Sequence, residues 1–181
     1  MRDTMLQVFM TIFFAFELSA ESKEQEIGDY VPVRISTSVL GEFSMLPKER
    51  DDYATNLARL ALEIVHANPQ TKNMGGVKKL LAMALNLSPR NREAVVANHQ
   101  LSKGILPEKK TSDYSTQVFA RLLLTRGKLL KSQEGLSDQL AGRALIEVAA
   151  ELNPRNEDAV YEYEVQFLDK KSVDWSTFYR N

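Results

Sequence analysis

Two histidines, His66 and His99, are the side chains with the most versatile chemistry at neutral pH. They lie on different segments of helical pattern, each without an acidic or histidine neighbour at metal-ligand spacing, which reads as packing or helix-end histidines. Met74-Gly75-Gly76 is a turn signal, and lacking a following Lys-Ser/Thr it is no phosphate-binding loop. The carboxylates Glu157, Asp158, Glu162 and Glu164 lie among lysines and arginines, as on a solvated helix face. There is no cysteine, so disulfides, thiol catalysis and cysteine-based zinc sites are excluded. Neither order nor context suggests a Ser-His-Asp set. Without a convergent nucleophile, base or metal cluster, the chain is expected not to be an enzyme and to use no cofactor or metal. Arg121, Arg126, Lys128 and Lys131 place positive charge beside Leu122, Leu123, Leu129 and Leu130. That pattern suits an anionic membrane surface or acidic partner, and suits better a core helix with basic outer positions.

The elements that carry these residues belong to a globular chain. Of 181 residues 44% are hydrophobic and 26% charged, enough for one domain with a real core. Basic and acidic side chains nearly cancel, 23 against 24, so the cationic excess of a nucleic-acid binder is missing and no nucleic-acid partner is expected. At the N-terminus Arg2 precedes an apolar run from Leu6 to Phe16, then Leu18-Ser19-Ala20, then the charged Glu21-Ser22-Lys23-Glu24. This is the order of a secretory signal, with cleavage expected after Ala20. The run falls short of the roughly 20 residues that span a bilayer as a stable anchor. Asp3 and Leu18 depart from the signal pattern, and residues 5–16 could instead stay in place as a membrane tether.

Residues 21–50 read as a linker. Within it Tyr30 to Val39 alternates apolar and polar types, and with no second strand signal to pair with it is expected to be extended chain docked on helices, or mobile. From Asp51 the pattern turns helical. Tyr53, Leu57, Leu60 and Ile64 share a face ended by Asn68-Pro69; Val77, Leu80, Leu81, Ala84 and Leu87 share another ended by Ser88-Pro89. Asn91 can cap a third helix, closed by Gly104. Then the pattern restarts. Asp113-Tyr114-Ser115-Thr116 restates Asp52-Tyr53-Ala54-Thr55, Ala120-Arg121-Leu122 restates Ala58-Arg59-Leu60, and Leu152-Asn153-Pro154-Arg155-Asn156 restates Leu87-Ser88-Pro89-Arg90-Asn91. The offset grows slightly along the chain, as a longer loop around 132–137 would cause. Three blocks in one order indicate an internal duplication, with copies at 51–104 and 112–168. The tail, 169–181, gathers Val173, Trp175, Phe178 and Tyr179 and is expected to cap the last helix.

The strings from Ala84 to Ala94 and from Ala149 to Ala159 resemble the junction between tetratricopeptide repeats. That junction has an alanine in the second helix, then a leucine, a helix-ending proline and an asparagine that opens the next helix. Leu81 and Ile146 match the family's large packing position, and Gly142 its small one. The units are longer than the family's period of about 34 residues. His99 and Glu164 stand where the family prefers Gly or Ala, so the helices after each junction are expected to splay. The resemblance covers 51–168 and implies an all-α, right-handed stack of about six helices, two copies of a three-helix unit, behind a signal segment and an extended linker. It further implies a peptide or protein partner on the concave face. That face would carry Glu93, Val96, Gln100 and Lys103 in one copy and Asp158, Tyr161, Val165 and Leu168 in the other. An exported scaffold or adaptor of the periplasm or envelope follows as the expectation, with a membrane-tethered structural or assembly component as the alternative.

Overall fold

The computed structural model describes residues 29–35, 38–69 and 74–179; the signal-like segment and residues 21–28 lie outside these. Among the described residues there are six α-helices, one 3-10 turn and no strand. The helices are α1 (Pro47–Ala67), α2 (Met74–Leu87), α3 (Arg92–Ser102), α4 (Thr116–Lys131), α5 (Leu136–Leu152) and α6 (Glu157–Leu168). The first three pack as one unit; in the second, α4 packs on α5 and α5 on α6.

The duplication is visible atom by atom at the junctions. Ser88 and Asn153 donate their amides to Ala84 and Ala149, four residues back, closing α2 and α5. Asn91 and Asn156 then donate to the carbonyls of Ser88 and Asn153, forming the same tight turn. Their side chains accept from the amides of Ala94 and Ala159, which supplies an acceptor for a donor the next helix would otherwise leave open. Even the exits match: Gly104, two residues past α3, and Lys170, two residues past α6, are both in the left-handed backbone region.

α2 and α5 are the centre of each unit. Every residue from Leu80 to Leu87, and from Ala144 to Ala150, is buried, so these stretches need cover from every direction, with Asn86 and Glu147 as their polar members. Side chains join the units along two seams. At one, Asn56 meets Asp113, the Tyr53 ring meets the Phe119 ring edge-on at 5.6 Å, and Glu49 meets Arg126 at 2.7 Å. Positions falling along α1 pair with positions rising along α4, so the two helices run antiparallel. At the other seam Lys79 of α2 meets Glu147 of α5 at 2.9 Å, with Glu151 beside them.

The rest of the cover comes from the segments at either end. Residues 29–35 and 38–46 lie docked on the helices, with Tyr30, Val33, Leu40 and Met45 buried. The Asn98 side chain accepts from the Val33 amide at 2.9 Å and donates to the Val33 carbonyl at 3.0 Å, acting as the missing neighbouring strand. Asn86 accepts from the Val39 amide in the same way. α1 begins at Pro47, four residues before the periodic apolar pattern, because proline at the first turn loses no hydrogen bond there. The tail reaches beyond the last helix. Trp175 and Phe178 are buried, and their hydrogen bonds go to α2 and α5. The Trp175 Nε1 donates to Glu147, and the Phe178 carbonyl accepts from Asn86.

Candidate functional site

Asn91 fixes the start of α3, and with it the direction of the face bearing Glu93, Val96 and Gln100. These three line one cavity of about 240 Å³ with Leu62, Pro107 and Lys110. Glu93 is held in place by a two-point pairing with Arg59, at 2.9 Å and 3.0 Å, while Arg59 also reaches Asp113 at 2.6 Å. The hydrogen bonds from Arg59 hold the Glu93 carboxyl below its ordinary range, with a smaller contribution from Lys110. The same pairing raises the Arg59 guanidinium. His66 bonds the Pro107 carbonyl through Nε2 at 2.8 Å, which pins the loop forming one wall and gives this histidine a structural role. Lys103 does not join this cavity. It lines another, of about 430 Å³, with Arg34, Asn98, His99 and Ser102.

The linkage at Glu93 has a definite sign. A carboxyl whose folded pKa is depressed contributes stability above the ordinary carboxylate range and loses it as pH falls through the folded value. Glu93→Gln is expected to lower stability by about 1–2 kcal/mol at pH 7, the size of a charge-assisted hydrogen bond. The gap between parent and variant should narrow as pH falls below the ordinary carboxylate range and close only below the lowered folded value, where the parent's carboxyl is also neutral. Urea unfolding in steps from pH 7 down to about pH 2 checks this; a gap that stays constant over the whole series would mean the pairing is not its cause.

α6 is positioned by the equivalent Asn156 cap but is far less covered. Only Ala159 and Gln166 are buried along it. Tyr161, Phe167 and Leu168 are 68%, 63% and 75% exposed. Tyr161 and Leu168, seven residues apart, fall on one outward stripe with Glu164 between them. Glu162 is clamped by Lys131 at 2.8 Å and Lys128 at 3.0 Å, and the hydrogen bond from Lys131 leads in lowering its pKa. Glu157, Asp158 and Glu164 form no ion pair among the described residues. Val165 is half-buried and lines a third cavity, with Lys131 and Arg143.

The residues expected on one concave face thus fall into separate places. None of these three cavities includes residues of both α3 and α6, since the units meet through α1 and α4. The basic positions of α4 are largely structural: Arg126 holds Glu49 and the Ser44 carbonyl, and Lys128 and Lys131 hold Glu162. Sequence inspection missed Asn86, Glu147 and Gln166, whose partners or exposure depend on distant packing. No three potential metal ligands converge among the described residues, and no described helix is long and apolar enough to cross a membrane.

The described residues therefore define an all-α protein of two three-helix units, with one lightly covered terminal helix. No family of known proteins matches the chain, and neither does any curated protein or solved structure.

Proposed function

We propose that this chain is a tetratricopeptide-like interaction module, a scaffold or adaptor, and that it holds a peptide or protein partner on the outer face of α6. One observation carries the reading: α6 leaves Tyr161, Phe167 and Leu168 in solvent beside three carboxylates with no ion-pair partner among the described residues. Aromatic and aliphatic anchors within an acidic rim suit a partner segment that is apolar on one side and basic at its edges. The apolar run near the N-terminus supports export to the periplasm or envelope. The same run supports a second reading, a membrane-tethered structural component; an intact N-terminus in the membrane fraction would favour that one.

The test begins with affinity capture from a native envelope extract, using the parent and a Tyr161→Ala/Leu168→Ala variant. The captured partner is then identified, and its affinity for each protein is measured directly. Loss of both anchors is expected to weaken binding at least tenfold, about 1.4 kcal/mol or more, with the melting temperature unchanged because both side chains are exposed. Equal affinity for parent and variant would remove α6 as the docking surface.

A further inference from the structure

A cavity of about 270 Å³ lies where the end of α4, the first half of α5 and the end of α6 meet. Lys131, Gln139, Arg143, Gln166, Asp169 and Lys171 line it. The fold leaves two of these side chains unexplained. Arg143 is half-buried on α5, yet it forms no hydrogen bond or ion pair among the described residues. Gln166 is only 4% exposed, and its Nε2 has no hydrogen-bond partner. A buried donor without an acceptor is costly, and so is a cation withdrawn from water without a counter-charge. The other unpaired buried nitrogen, Arg126 Nε, differs, because that guanidinium is already anchored through Nη2 to Glu49 and Ser44.

The surrounding charge has one sign in excess. Lys131 shares Glu162 with Lys128, and Lys171 lies 3.7 Å from Asp169. Of the residues lining the cavity, three are cations, Lys131, Arg143 and Lys171, and one is a carboxylate, Asp169. Asp169 would repel an anion at the Lys171 end, which directs one toward Arg143.

We propose that this cavity binds a small tetrahedral oxyanion of the phosphate class. Arg143 is its two-point anchor, Gln166 Nε2 its second donor and Lys131 a source of attracting charge. Donors from two helices, with an ammonium on a third nearby, suit a tetrahedral anion better than a planar carboxylate, which one guanidinium can saturate. The volume leaves room for a small group esterified to the phosphate.

The test uses the full chain at constant ionic strength in chloride, titrated with inorganic phosphate and, separately, with glycerol phosphate. Saturable binding is expected by calorimetry, together with a shift of the Gln166 side-chain amide resonance in the unmutated protein. Arg143→Gln should weaken binding at least tenfold. Arg121→Gln, an equal charge change at an exposed α4 position outside the cavity, should leave it unaltered. Tighter binding of the ester assigns an organic phosphate, and tighter binding of inorganic phosphate assigns the free ion. Absence of saturation, an unmoved Gln166 resonance, or equal weakening by both arginine variants would overturn the proposal.

Discussion

Gly142→Ala is expected to destabilise the protein by about 2–3 kcal/mol, although alanine is the better helix former. A Cβ at position 142 would stand 2.5 Å from the Lys131 amide nitrogen and 2.6 Å from the Gly127 carbonyl oxygen. Both atoms belong to the backbone of α4, so neither can turn aside as a side chain could. The reverse contact is equally close: a Cβ at Gly127 would lie 2.8 Å from the Gly142 carbonyl oxygen. α4 and α5 thus touch backbone to backbone, and a methyl group can enter only by prying the helices apart. Helix propensity returns about 1 kcal/mol to the alanine variant, and the clash outweighs it. For a chain of this size the melting temperature should fall by about 5–10 °C. Gly76→Ala is the matched control, because nothing lies within 4 Å of its added Cβ on the first turn of α2. It gains the same propensity without the clash and should be neutral or slightly stabilising. If Gly142→Ala melted as high as the parent, the two helices would not be in backbone contact.

Gly142 also shows which features could be read from sequence. Its match to a small packing position rests on chemistry within one helix pair, as do the Pro89 and Pro154 stops and the Asn91 and Asn156 caps. Each needs partners only a few residues away, so local pattern suffices. The docking of the linker needed more, since Val33 finds Asn98 at a separation of 65 residues and Val39 finds Asn86 at 47. An asparagine on a helix gives no local sign that it will stand in for a strand. The start of α1 was hidden because Pro47-Lys48-Glu49-Arg50 adds a turn without apolar periodicity. For the candidate surface, spacing places Glu93, Val96 and Gln100 on one helix face, and they line one cavity. It could not separate Lys103 from them, nor α3 from α6. Those separations come from the antiparallel meeting of α1 and α4, which the connection from Lys103 to Ser115 determines. Arg143 and Gln166 were equally illegible, because a missing partner is a property of the assembled fold.

Phe178→Ala should cost about 3–5 kcal/mol, the range for deleting a fully buried phenyl ring. The ring lies 4.8 Å from that of Trp175, and the pair is held between the two central helices. Trp175 donates to Glu147 of α5 at 2.7 Å, and Lys79 of α2 reaches the same Glu147 oxygen. Burial alone would lower the Lys79 ammonium, but hydrogen bonds to Glu151 and Glu147 more than offset this and its pKa is raised. The Phe178 carbonyl accepts from Asn86, whose own oxygen accepts from Val39. Tail, α2, α5 and linker therefore form one connected cluster, and removing the ring opens a void where they converge. The loss should show as a lower urea midpoint with little change of slope, and as faster hydrogen exchange at the Val39 amide. Leu168→Ala, of similar chemistry but in solvent, should change neither. A cost below about 1 kcal/mol, with Val39 exchange unaltered, would show that the tail is not a clasp between the units. The contrast also bears on binding: with the tail committed to α2 and α5, the outer face of α6 stays open without loss to the core.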